Sequence, residues 1–349
     1  MISSLRNIAG HLLREKRDPL LGILGASLAL GVGMPLPLTV IVAIVLLLLS
    51  VGLVREVRAA IKLYEEKHIP LVVVAGRKDE EVTAMLIEVM SCMKTHGFDE
   101  KRFEADFNLD RDHWLVRRES DLPSDAKDWE NLVHRFEDKV IKLSAKLKGR
   151  KVFHIFINCP GALAVGLGAV LGTKYEVALH HFQRSDISSP YTLVIDLATA
   201  GMSSKNGAHI IKTKVTQPYQ FVQVKWPDKL GETTLVSLHF AFHDPTSDAT
   251  RQAVERSLPV VFINNALGTT LPSDSDWLLA AREIATVLVD IASRYEVRRV
   301  ELLLSCPIPL AFAVGIAIGT QAPISIQSWF PAEQRYYEVL SLEKLRQPR

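Results

Sequence analysis

Phe156–Thr173 reads FINCPGALAVGLGAVLGT, and Ser305–Thr320 reads SCPIPLAFAVGIAIGT. The first stretch carries no charge and is dense in Gly and Ala. It admits three readings: a membrane span, a phosphate-cradling glycine loop, or a helix buried on a sheet. The second stretch decides between them. With Cys159 set on Cys306, the two align without a gap at an offset of 147 residues. Cys159/Cys306, Pro160/Pro307, Leu163/Leu310, Ala164/Ala311, Gly168/Gly315, Gly172/Gly319 and Thr173/Thr320 coincide. Each stretch follows an apolar run, VFHIFIN or VELLLS, and precedes another, YEVALHHF or PISIQSWF. About thirteen apolar residues between two strands are too few to cross a bilayer. Gly166 and Gly168 lie about eight residues past the strand, whereas a dinucleotide loop needs glycine in the first turn. Both copies therefore read as buried helices, with Gly168 and Gly172 letting the first sit close to its strands.

The pattern extends outward from both copies. LVVVAG (Leu71–Gly76) precedes a helix over Asp79–His96, and HWLVRR precedes a helix over Asp128–Lys148. In the second copy LVSLHFAF precedes a helix over Thr246–Arg256, and PVVFIN precedes a helix over Asp276–Arg294. Asp128-Trp129 matches Asp276-Trp277 with a one-residue slip. Strand–helix alternation implies a mainly parallel sheet with helices on its faces. Matched helix starts and matched Cys-Pro turns mark a tandem duplication. Between the copies, Tyr191–Asp196 and His209–Trp226 alternate apolar and polar residues and read as antiparallel strands.

The first seventy residues differ in kind. From Pro19 to Val54 no residue is charged. One helix of that length would rise about 54 Å, against a hydrocarbon core of about 30 Å, so the run must fold back. Pro35 and Pro37 in MPLP break it into spans near Leu20–Met34 and Leu38–Val54. Arg6, Arg14, Lys16 and Arg17 precede the first span; Arg55, Arg58 and Lys62 follow the second. The positive-inside rule places both ends in the cytoplasm. Before the spans, Ile2, Leu5, Ile8, Ala9, Leu12 and Leu13 recur at helical spacing, as in a helix lying on the membrane surface. A mean hydropathy of +0.14 fits some lipid-facing content. A net charge of +2 excludes a polycation, so an anionic partner must be met by a local site. Three cysteines give no disulfide framework.

A tandem pair of Rossmann-like halves, each with a strand, a Pro-containing turn, an LA…G…GT helix and another strand, resembles the SAVED domain. The resemblance covers about Pro70–Leu345, and the hairpin resembles the two-helix membrane effector of some members. It implies an α/β fold of two fused Rossmann-like (CARF-like) halves in a SAVED-type domain, preceded by a transmembrane hairpin. The expected domains are an amphipathic segment (1–18), the hairpin and linker helix (19–67), a first half with an antiparallel insertion (70–230) and a second half (231–345). The implied role is that of a receptor in bacterial anti-phage (CBASS) defence, not an enzyme. It would bind a cyclic oligonucleotide made by a partner nucleotidyltransferase (a CD-NTase), self-associate, and disrupt the inner membrane through its two-pass anchor. No cofactor, metal or nucleic-acid polymer is expected.

In open α/β sheets, ligands bind beyond the carboxyl ends of the strands. Arg77 and Lys78 follow the first strand as a basic pair. Asn158, Cys159 and Pro160, and their counterparts Ser305, Cys306 and Pro307, each lead into a helix N-terminus, which favours an anion. His181 and Arg184 close the strand of the first copy, and Trp329 that of the second, as a base-stacking surface. Asn265 ends PVVFIN and is placed to read a base edge. Adjacent strand residues face opposite ways, so only one of His180 and His181 can enter the crevice. His239 and His243 share a strand face but lack a carboxylate or thiol in register, so a structural role is the better reading. Two rival functions are a membrane-tethered Rossmann-like hydrolase, nucleosidase or ring-nuclease-like enzyme, and a passive scaffold.

Overall fold

The computed structural model describes residues 66–183, 190–198, 207–268 and 270–346. The expected hairpin, the surface helix before it, and Arg184 lie outside the described residues. Among the described residues no helix is long and apolar enough to cross a membrane. Among the described residues, contacts group His68–Leu143 with those from Val152 onward as one compact unit, and Glu66 and Lys67 with Ser144–Lys151 as another. Within the smaller unit, Arg150 pairs with Glu66 at 2.6 Å and Lys67 Nζ donates to the Lys148 carbonyl.

The first half runs β1 (Lys67–Ala75), α1 (Asp79–Lys94), α2 (Glu100–Phe107), α3 (Arg111–Trp114), β2 (Leu115–Arg118), α4 (Ala126–Lys146), β3 (Lys151–Asn158), α5 (Gly161–Leu171), β4 (Glu176–Phe182) and β5 (Tyr191–Asp196). A 3-10 turn (Gly207–Lys212) and β6 (Val222–Lys225) follow. The second half runs β7 (Thr233–His239), α6 (Thr246–Arg256), β8 (Val260–Asn265), α7 (Trp277–Ala292), β9 (Arg299–Ser305), α8 (Ile308–Ile318), β10 (Ile324–Phe330) and β11 (Arg335–Ser341).

The two halves fold into two separate sheets with one strand order. The first is β2-β1-β3-β4-β5 and the second β8-β7-β9-β10-β11, with β6 added beside β8. In both, the last strand runs antiparallel to its neighbour. Even the irregularity repeats: a β-bulge falls between Leu179 and His180, and again between Ile326 and Gln327, at the same 147-residue offset. Trp129 Nε1 donates to the Pro123 carbonyl at 2.7 Å, and its counterpart Trp277 Nε1 donates to the Pro272 carbonyl at 2.8 Å.

Helix character follows burial. In α4 the buried Trp129, Leu132, Val133, Phe136, Val140 and Leu143 recur every three or four residues, the stripe of a helix with one face on a core. The helices α5 and α8 are buried almost all round. They pack against each other across the two halves, not only onto their own sheets. A Cβ on Gly168 would run into the Phe312 carbonyl, and one on Gly315 into the Val165 carbonyl. The expected role of Gly168 is thus corrected: it opens space for the other copy's helix backbone. Gly172 is the C-cap of α5 with φ +56°, as Gly319 is of α8 with φ +70°, and among the described residues a Cβ on Gly172 would meet only the Ala169 carbonyl of its own helix.

The stretch His209–Trp226, expected as antiparallel strand, is so only in part. Only Val222–Lys225 is a strand, and it pairs with β8 of the second sheet. Upstream, backbone donors go to α7 instead of a ladder. Glu283, buried in that helix, accepts from the N–H groups of Gln220 and Phe221, each at 2.8 Å. Thr286 accepts from Val215 N–H at 3.0 Å. Buried donors must find acceptors somewhere, and a side chain satisfies them as well as a strand does.

Candidate functional site

The parallel strands β1 and β3 end at Ala75 and Asn158, and β7 and β9 at His239 and Ser305. Packing of α5 on α8 brings the matched turns together. Gly161, the first residue of α5, lies against Leu304 at the end of β9; a Cβ there would be 3.3 Å from Leu304 Cδ1. The carboxyl ends of the two central strand pairs thus face one region.

Arg77 and Lys78 are exposed beside this region. Arg77 Nε donates to Asn158 Oδ1 at 3.3 Å, joining two of the expected residues across neighbouring strands. Glu81 Oε1, one turn into α1, lies 3.8 Å from the Arg77 guanidinium. This exposed pair holds the side chain only weakly. Lys78 is the N-cap of α1, where its backbone N–H donates to Glu81 Oε2 at 3.2 Å.

The helices α5 and α8 start at Pro160 and Pro307, and no side chain caps either of them. Pro309 brings no N–H to the first turn of α8, and Leu163 N–H already reaches the Pro160 carbonyl, so what each end offers an anion is its first N–H, at Gly161 and Ile308, and its positive dipole end. Cys159 is half-buried with Sγ turned to the Pro160 carbonyl at 3.4 Å, and burial pushes its thiol up. Burial likewise raises the Cys306 thiol to about 12. Neither is an activated nucleophile, because both are held as thiols.

The other expected residues are placed differently. His180 and His181 do face opposite ways: His180 is buried against His154, while the His181 ring sits 5.1 Å from Trp277 of the second half. Trp329 packs on the cluster of Leu235, Ala249, Ala253, Leu303 and Tyr336 beneath α6, its ring 5.2 Å from Tyr336. That is a core contact, so it offers no open stacking face beside the matched turns. Asn265 is buried and its Oδ1 accepts from Leu267 N–H at 3.0 Å, closing the turn after β8. His239 Nε2 hydrogen-bonds the Ala241 carbonyl and His243 the Tyr336 hydroxyl, and the Asp244 carboxylate lies 3.5 Å from His239 Nδ1.

One residue beside the crevice escaped the sequence reading. Phe240 N–H donates to the Ser305 carbonyl at 2.7 Å, so the loop after β7 stays beside the second Cys-Pro turn. Phe242 in that loop is 92% exposed. Its signal was HFAFHD, at the place where the first copy carries Gly76-Arg77-Lys78.

The chain matches no protein-family model and no curated protein. Among solved structures it is similar to the Acinetobacter baumannii Cap4 SAVED/CARF-domain containing receptor with the cyclic trinucleotide 2'3'3'-cAAA. That match has 14% identity and a TM-score of 0.49, over 82% of this chain and 55% of that one. The same receptor with 3'3'3'-cAAA gives 17% identity and a TM-score of 0.45, over 62% and 44%. The Moraxella osloensis Cap4 SAVED/CARF-domain containing receptor gives 15% identity and a TM-score of 0.41, over 65% and 48%. This chain spans about half the length of the solved chains it matches.

Proposed function

We propose that this chain is a membrane-anchored receptor of SAVED type for a cyclic oligonucleotide, acting in anti-phage defence by clustering its hairpins and breaching the inner membrane. The observation that carries the reading is the convergence at Gly161 and Leu304, which turns two uncapped helix N-termini toward one crevice. A ring of phosphates needs several donors arranged around it, and a duplicated fold supplies them in pairs. Arg77 and Lys78 add charge on one side. Phe242 adds an exposed aromatic face on the other, suited to stacking a base. Binding makes and breaks no bond; a ligand that fits only the assembled state drives assembly by mass action.

Calorimetric titration of the full-length protein in detergent with synthetic cyclic di- and trinucleotides tests the ligand. Saturable binding that weakens with salt is expected. Dye release from liposomes carrying the protein, with and without the same ligand, tests the effector. Ligand turnover to linear products would instead establish an enzyme.

A further inference from the structure

On the other face of the first sheet, beneath α1, lies a cluster that the ligand crevice does not use. It gathers Cys92 from the end of α1, His96 from the turn that follows, His180 from β4, His154 from β3 and His68 from β1. Two triads have ligand atoms all within 4.8 Å of one another: Cys92, His96 and His180, and His68, His96 and His154. We propose that Cys92, His96 and His180 bind a divalent transition ion of the zinc class, clamping the end of α1 to β4.

Four observations support the first triad as the ligand set. Cys92 lies in the last turn of α1 and His96 in the turn just past its C-cap Thr95, where the two side chains come together. Cys92 Sγ stands 3.8 Å from His180 Nδ1, close to the roughly 3.5 Å that tetrahedral zinc imposes between a sulfur and a nitrogen ligand. The remaining histidines then form the outer shell. With the ion on His180 Nδ1, His180 Nε2–H donates to His154 Nδ1 at 2.9 Å, and His154 Nε2–H donates to His68 Nδ1 at 2.8 Å. A ligating imidazole oriented through its other nitrogen is the usual arrangement at metal sites. Finally, a cavity of about 270 Å³, lined by Glu88, Cys92, His96, His180 and Tyr191, leads to the triad and leaves a fourth position open.

The second copy sharpens the inference. At the 147-residue offset His154 and His180 become Glu301 and Gln327. Those two are also buried and hydrogen-bonded, at 2.7 Å, with Arg256 forked onto the carboxylate. There the copy carries its own cation.

The test uses full-length protein without a histidine tag, stripped with chelator and titrated with Co²⁺, then Zn²⁺. One ion per chain, with a thiolate-to-cobalt charge-transfer band that Zn²⁺ bleaches, is expected. Cys92→Ser should abolish the band, while Cys159→Ser and Cys306→Ser keep it. His154→Gln should weaken affinity about 10–100-fold, as the loss of outer-shell support does. Zinc should also raise the melting temperature of the wild-type protein, a readout that needs no variant. Sub-stoichiometric binding by the wild type, a cobalt spectrum without a sulfur band, or a band that survives Cys92→Ser would overturn the proposal.

Discussion

Gly168 and Gly315 are reciprocal: each lacks the Cβ that would strike the other copy's helix, at the Phe312 and Val165 carbonyls respectively. The symmetry of this contact ties the duplication to the crevice, because it fixes where the two helix N-termini stand.

Gly168→Ala or Gly315→Ala should therefore force α5 and α8 apart. Overpacking of this kind costs about 1–3 kcal/mol. Gly161→Ala is the control, since its nearest neighbour is the movable end of Leu304. Urea unfolding should show a clear loss for the first two and little change for the third.

Glu283→Ala should loosen the segment before β6. It strips acceptors from two backbone N–H groups, Gln220 and Phe221, at about 1–3 kcal/mol for each group left unsatisfied. Glu283→Gln keeps one carbonyl oxygen and should lose less. Hydrogen exchange at Gln220 and Phe221 should rise in the alanine variant ahead of the rest of the second sheet.

Arg77→Glu with Lys78→Glu should weaken cyclic-oligonucleotide binding by removing donors and adding like charge. Phe242→Ala should weaken it too, by about 1–3 kcal/mol if a base stacks there. All three side chains are exposed, so unfolding midpoints should move little. Unchanged affinity in both folded variants would place the ligand elsewhere.

Val42→Asp or Leu46→Asp should abolish dye release and spare ligand binding. A charge at mid-bilayer costs about 2.5–3.5 kcal/mol on insertion scales. Leakage equal to wild type would remove the hairpin from the mechanism.

Cys306 should resist alkylation in the folded protein at pH 8. With its thiol raised to about 12, the thiolate is the minor form at that pH, and only the thiolate attacks. The rate should rise on denaturation, when the group returns to its ordinary range. Fast labelling of native Cys306 would show that the turn opens readily.

Strand and helix positions were largely legible because burial imposes its period on the sequence. The Thr246–Arg256 helix has the bounds read from sequence, and the two LA…G…GT helices fall where the aligned stretches put them. Arg77 beside Asn158 was legible as well, since both end parallel strands of one sheet. Trp329 was not: its ring direction depends on which face of β10 meets α6. The metal-ligand set was missed although Cys92-x-x-x-His96 stands in the sequence, because its third member arrives from β4.

The sequence by itself determined that the chain is duplicated, that each copy alternates strand and helix, and that an uncharged run long enough for two spans precedes them. These are local or periodic properties, which burial and backbone geometry write directly into residue order. Only the tertiary structure decided that α5 packs on α8 through paired glycines, that β6 joins the second sheet, and that five His and Cys side chains from four elements and the turn after α1 meet. Such contacts join residues from 26 to 150 positions apart, and their partners are chosen by shape and unsatisfied polar groups, which no local pattern records.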